Sequence, residues 1–263
     1  MPRLSFLVGG VQKAGTTAFA SYLSRHPFVR LPGNKEAHVF DAPDYDESAP
    51  ACAIDARFDA HFSPPADELT VDDGPTVYGD ATPITVLSPR FVERAWRYSP
   101  HLRWIILLRE PVERAISHWA MERARGVESL PLWAAALAEP WRLGRSVDDW
   151  AWSSPQRWAS YAARGDYARQ LRALVARFPP GQILLLRSDR LAEDPEATVA
   201  AAWAFLGLPP GPMGLDYPRV FEGAYRSPGA ASLGAAILRF RLRSARRAWN
   251  RATDINDWVR GDA

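Results

Sequence analysis

Short apolar runs alternate with longer mixed stretches along most of this chain. Residues 4–8, 28–31, 76–79, 102–108 and 182–186 are such runs, each four to seven residues long. Runs of that length, bounded by turn-forming residues, read as strands. The run 102–108 is apolar almost throughout, as a strand buried on both faces of a parallel sheet should be. Between the runs the apolar period lengthens. In 16–25, Phe19, Tyr22 and Leu23 fall at i, i+3 and i+4, and Pro27 ends the pattern. The stretch 111–125 opens with Pro111 at a first helical position, and 166–178 and 195–206 are two further helix candidates. Alternation of this kind predicts an α/β fold. The expectation is a single domain over 1–263, with a central parallel sheet of about five strands flanked by helices. Residues 41–75 and 126–158 read as loop-rich excursions, and 226–263 as a basic helical C-terminal segment.

Composition narrows the class without naming a function. Apolar residues are 47% and charged residues 24% of the 263, ordinary values for a soluble globular protein. A net charge of +2 carries no global nucleic-acid footprint. The charge is uneven, however. Ten acids and one base lie between Asp41 and Asp73, and seven arginines with no acid between Arg226 and Arg251. The single Cys52 excludes an intrachain disulfide framework and a cysteine-rich zinc site. No signal-peptide pattern and no apolar run of the ~20 residues that span a bilayer is seen, so the expectation is a cytoplasmic protein. Within 237–251, Arg alternates with Leu, Phe, Ala and Trp. The favoured reading is an amphipathic helix packed on the domain, and contact with an anionic membrane surface is the weaker one. Five of the eleven tryptophans fall between Trp133 and Trp158, where core or interface packing is weighed against an acceptor pocket.

Candidate chemistry gathers around the only two lysines, against thirty arginines. Lys is a compact charge on a flexible stem, whereas Arg is a planar fork, so two surviving lysines mark places where the fork does not serve. Lys13 lies in Gly9-Gly10-Val11-Gln12-Lys13-Ala14-Gly15-Thr16-Thr17, directly after the first apolar run. Strand, Gly-rich turn, Lys, Thr-Thr and helix outline a phosphate cradle, in which backbone N–H groups and the helix dipole face an anion. The spacing is not that of the ATP/GTP loop, where Lys directly precedes Ser/Thr, and the runs 102–108 and 182–186 are followed by Arg109 and Arg187 rather than by a magnesium-binding Asp. Arg109 leaves the end of the run 102–108 and Ser117 lies two turns into the next helix. An Arg with a hydroxyl suits a phosphate monoester, and a local ion pair is the competing reading.

Taken together, these segments resemble the sulfotransferases that use 3′-phosphoadenosine 5′-phosphosulfate (PAPS). The loop 9–17 is similar to their 5′-phosphosulfate loop, and 109–117 to their 3′-phosphate segment. Leu31-Pro32-Gly33-Asn34-Lys35-Glu36-Ala37-His38-Val39-Phe40-Asp41 is similar to the Lys-Glu-x-His-Phe-Phe segment of the heparan sulfate N- and 3-O-sulfotransferase branch. The stretches 164–178, 182–186 and 205–208 follow that branch's order, so the resemblance covers residues 6 to about 208. It implies PAPS as sulfuryl donor, adenosine 3′,5′-bisphosphate as product and no metal. It implies Glu36 as general base, Lys13 at the leaving phosphate and Lys35 as support for Glu36. It also implies Lys13, Ala14, Gly15, Thr16, Thr17, Arg109 and Ser117 as donor ligands, with Arg226 as a weaker match. His38 is an alternative base, with a packed strand-end histidine as the preferred reading. The acceptor would be a hydroxyl, or less readily an amine, of a small molecule or saccharide.

Three departures shape that expectation. In Tyr78-Gly79-Asp80-Ala81-Thr82-Pro83, Ala81 stands where the family usually carries Lys, which argues against a polyanionic acceptor. The branch's late disulfide is impossible with one Cys. Its Lys-Gly-Arg loop has only Gly223-Ala224-Tyr225-Arg226 as a counterpart. An ATP-dependent phosphotransferase and a non-catalytic nucleotide-binding module are the alternatives.

Overall fold

The structure, a computed structural model, describes residues 3–62, 76–218, 229, 232–252 and 254–260. Five strands form one sheet: β1 (Phe6–Val8), β2 (Val29–Arg30), β3 (Val77–Asp80), β4 (Arg103–Leu108) and β5 (Ile183–Arg187). Each lies within two residues of an apolar run named above. The order is β2-β3-β1-β4-β5 and every neighbouring pair is parallel. The predicted α/β class and parallel sheet are therefore present. The helices are α1 (Thr16–Leu23), α2 (Ala51–Asp59), α3 (Pro89–Tyr98), α4 (Pro111–Ala124), α5 (Leu132–Gly144) and α6 (Pro155–Trp158). They continue as α7 (Tyr167–Val175), α8 (Ser188–Glu193), α9 (Pro195–Phe205), α10 (Leu233–Arg241), α11 (Arg243–Arg251) and α12 (Ile255–Arg260).

Many of these helices begin the same way. Ser88, Glu110, Ser154 and Asp194 each cap a helix with a side-chain oxygen, and each is followed by Pro. The cap satisfies one orphan N–H of the first turn, and Pro removes another while fixing a helical φ. The segments 41–75 and 126–158, expected as loop-rich, each carry a helix within their described residues. In α2, Ile54 and Phe58 sit four apart and bury one face. In α5, Leu132, Ala135, Ala136 and Glu139 do so.

The chain packs as two compact units. One comprises Met1–Asp41, Tyr45–Leu108 and Ala173–Phe221; the other comprises Ala42–Asp44, Arg109–Arg172 and Glu222–Ala263. In the first, β1 lies between β3 and β4 and is fully buried. Trp104 on β4 meets Phe178 edge-on, with ring centroids 5.5 Å apart. The chain leaves β1 toward β2 on one side and leaves β4 toward β5 on the other. The boundary between β1 and β4 is thus a topological switch point, where open α/β sheets bind ligands beyond the strand C-termini. The chain leaving β1 stays close to β4. The Gly9 and Val11 amides donate to the Ile105 and Leu107 carbonyls at 3.1 and 2.9 Å. A Cβ on Gly10 would stand 2.8 Å from the Leu107 backbone nitrogen, so glycine is required there.

In the second unit, α4, α5 and α10 share a core around Ala115, Trp119, Leu132, Ala135 and Leu238. Pro140 lies inside α5 and has no N–H for the Ala136 carbonyl. Arg241 of α10 donates to that carbonyl and, over 2.7 Å, to the buried Glu139 carboxylate. Glu139 also accepts from the Ala162 and Ala163 amides at 3.0 and 2.8 Å. A proline defect and a buried charge are thereby resolved by one arginine.

Gly10→Ala is expected to destabilise the fold by about 1–3 kcal/mol, because β4 backbone cannot yield to the added methyl. Chemical denaturation of the two proteins measures the difference.

Candidate active site

The turn after β1 carries two left-handed residues at the start of α1. Lys13 has φ 75° and Gly15 has φ 89°, both left-handed. Gly15 is the N-cap of α1 and carries no side chain that would occupy the helix start. The first N–H groups of a helix have no partner within it, and no acid lies in the first turn of α1 to compete for them. Ala14 is buried, and its amide donates to the Val11 carbonyl at 3.1 Å, which sets the path of the turn. Thr16 is buried, Lys13 half-buried, and Gly15 and Thr17 exposed.

The segment around the second lysine is strained in the same sense. Lys35 and His38 have φ 60° and 54°. Among the described residues four non-glycine residues have positive φ, and three of them are Lys13, Lys35 and His38. Such conformations persist only where the surroundings over-determine them. Here the surroundings come from the end of β3. The Ala37 amide donates to Asp80 Oδ1 at 2.8 Å, and the Ala81 amide donates to the Lys35 carbonyl at 3.0 Å. Thr82 donates its hydroxyl to Asp80 Oδ1 at 3.0 Å and accepts from the His38 amide at 3.3 Å. Because Asp80 lies opposite Leu7 in the parallel β1–β3 pair, this segment reaches the same sheet edge from which the turn 9–15 departs.

Side chains on this segment form a chain of alternating charge. Lys35 Nζ pairs with Glu36 Oε1. His38 Nε2 stands 3.2 Å from Glu36 Oε2, and its Nδ1 lies 3.0 Å from Asp41 Oδ2. Asp41 is fully buried, while Glu36 and His38 are about one third exposed. Burial works against the Glu36 charge, but hydrogen bonds from His38 and Lys35 outweigh it and hold the carboxyl below its usual range. Burial likewise disfavours the imidazolium, yet Asp41 and Glu36 raise His38 to about 9. At neutral pH His38 is therefore a cation that donates from both nitrogens. The ring is ion-paired and about one third exposed rather than packed at a strand end. Burial pushes Asp80 up to about 6, offset in part by the Ala37 amide and the Thr82 hydroxyl.

Arg109 and Ser117 belong to the second unit. Arg109 follows the last residue of β4; its carbonyl accepts from the Tyr167 hydroxyl at 2.6 Å, and its guanidinium lies 3.4 Å from Glu113. Ser117 is half-buried on α4. Arg226 lies outside the described residues. Sequence reasoning missed Asp41 and Asp80 as parts of the site. Asp41 carried a usable signal, an acid three residues after a histidine; Asp80 carried none, because its partner is more than forty residues away.

Comparison with known proteins bears on this geometry. The model of the sulfotransferase domain family matches residues 4–216. Heparan sulfate glucosamine 3-O-sulfotransferase 6 of Mus musculus is 31% identical over 203 residues, covering 77% of this chain and 52% of that protein. Heparan sulfate glucosamine 3-O-sulfotransferase 3B1 of Homo sapiens is 28% identical over 202 residues, covering 77% of this chain and 45% of that protein. The chain thus spans about half the length of these curated relatives. The crystal structure of a sulfotransferase from Alicyclobacillus acidocaldarius has the same fold, with a TM-score of 0.66 at 24% identity, covering 98% of this chain and 99% of that one.

Two outcomes are expected from the interactions of this segment. His38 has a raised pKa in the folded state, so its stabilising contribution is complete below about 6.5 and is lost as pH rises through about 9. Thermal unfolding from pH 6 to 10 should show that decline in the wild type and a flatter profile in His38→Gln. Asp80→Ala should lose about 1–3 kcal/mol, because the Ala37 amide is left buried without an acceptor. Asp80→Asn retains an acceptor oxygen and should lose clearly less by chemical denaturation.

Proposed function

The chain belongs to the sulfotransferase domain family; we propose that it is an enzyme of sulfuryl transfer, that its donor is PAPS and that its acceptor is a hydroxyl, less readily an amine, of a saccharide or small molecule. The observation that carries this reading is the Glu36 carboxylate, held ionised by Lys35 and His38 at the edge of the sheet where the glycine turn begins. Bound in that turn, the donor supplies an activated sulfuryl group on a phosphate leaving group.

Glu36 takes the proton that the acceptor hydroxyl loses as its oxygen bonds to sulfur. Its lowered pKa makes it a modest base, but one that is fully ionised at neutral pH and ready to act. Lys35 and His38 aim the carboxylate and limit its rotation. Lys13 neutralises the charge that collects on the departing phosphate, where a compact ammonium fits between oxygens better than a planar fork. The turn 9–17, with Ala14, Gly15, Thr16 and Thr17, suits the 5′ end of the donor because two glycines let the backbone run close to β4 and α1 starts there without an acid. Arg109 and Ser117 are proposed for the 3′-phosphate from the sequence of their segment, as is Arg226. At position 81, the alanine methyl offers no cation beside Glu36, in keeping with an acceptor that is not a polyanion.

Adenosine 3′,5′-bisphosphate should raise the melting temperature of the wild type and of Glu36→Gln by the same amount. Turnover of PAPS with a panel of saccharide and small-molecule acceptors should fall at least ~100-fold in Glu36→Gln. Absence of any thermal shift would overturn the donor, and retained turnover would overturn Glu36 as the base.

A further inference from the structure

The outer surface of the second unit combines large apolar side chains with arginine. Among the described residues ten large hydrophobic side chains are exposed, and eight of them belong to this unit. Three form a stripe on α5: Trp133, Leu137 and Trp141 are 47%, 58% and 64% exposed. Their spacing of four residues stacks them along one side of the helix. The side packed on α4 and α10 is already complete, with Leu132, Ala135 and Ala136 buried. Of the charged residues in α5, Glu139 points inward to Arg241 and Arg142 pairs with the buried Glu128 at 2.6 Å, so the stripe itself is uncharged.

Arginine lies on one ring of this stripe and on other exposed rings of the same unit. Arg145 stands 4.6 Å from the centroid of Trp141, and Arg157 stands 4.3 Å from that of Trp152, itself 58% exposed. On α10, which packs against α5, Phe240 is 69% exposed with Arg243 at 4.7 Å.

We propose that this face docks on the surface of an anionic lipid bilayer, with α5 in the plane of the interface. Trp and Leu favour an apolar medium, and arginine beside an aromatic ring is favoured where that medium meets anions. The boundary between acyl chains and phosphate headgroups provides both in that order, and Trp favours that depth. A helix of 13 residues is about 20 Å long and lies in the interface rather than across it. Among the described residues no helix is long and apolar enough to cross a membrane. A second copy of the chain would have to meet the stripe with apolar side chains alone, since α5 itself exposes no acid to receive arginines. Asp148 and Asp149 follow in the next loop and are exposed, so the apolar stripe supplies most of the attraction and charge sets the preference for anionic lipid.

Flotation of the full chain with vesicles tests the proposal. Vesicles of phosphatidylcholine with about a third phosphatidylserine should carry the protein, and pure phosphatidylcholine should carry less of it. The triple variant Trp133→Ser/Leu137→Ser/Trp141→Ser should bind at least ~10-fold more weakly, since three large side chains no longer leave water. Its melting temperature should fall only slightly, because Leu137 and Trp141 are mostly exposed and Trp133 about half. If it does not fold, Leu137→Asp alone gives the same reading. Quenching of wild-type tryptophan fluorescence by brominated lipid should accompany binding. Equal flotation of wild type and variant would overturn the proposal. So would a wild-type dimer, seen by sedimentation, that the triple substitution makes monomeric and that does not bind vesicles.

Discussion

The Ala37 amide donates to the buried Asp80 carboxylate over 2.8 Å, and the arrangement of the first unit's candidate site depends on that bond. It ties a segment with two left-handed residues, Lys35 and His38, to the C-terminal end of β3. Thr82 and the Ala81 amide reinforce the same junction. Since β3 runs beside β1 in parallel, the junction also sets Glu36 at the edge where the glycine turn starts. A carboxylate is well suited to this role. It accepts from a backbone amide and a hydroxyl at once, and burial strengthens both bonds by excluding water.

The charges around Glu36 illustrate a balance. An isolated buried carboxylate would rise in pKa and hold a proton, which would make it a stronger base that is seldom ionised. Lys35 and His38 reverse that effect, and Asp41 in turn keeps His38 cationic. The result is a carboxylate that is always charged and closely aimed, at the expense of intrinsic basicity. Both lysines of the chain adopt left-handed backbone conformations.

Much of the fold was legible in the sequence because its signals are local. Each strand is a short apolar run, and β4 is buried along nearly its whole length, as its continuous apolar character predicts. Helix α3 carries equally local signals that the strand and helix pattern above does not include: Ser88 and Pro89 mark its start, and Phe91, Val92 and Ala95 its buried face. Helix α5 was not readable in the same way. Pro140 contradicts a helix on local grounds, and only Arg241, about a hundred residues later, repairs the defect.

The sequence by itself determined the α/β class, the strand and turn that bear Lys13, and Glu36 with Lys35 as its neighbour. The first two follow from periodicity and glycine placement; Glu36 was singled out by the resemblance of its segment, and Lys35 by standing next to it. Only the tertiary structure decided what surrounds Glu36. The His38 ring became a cation between two carboxylates, and Asp80 became the anchor of the segment. The Asp80 role depends on a hydrogen bond between residues more than forty apart in sequence, and the His38 role on burial and on a left-handed backbone that bring its ring between carboxylates two and three residues away.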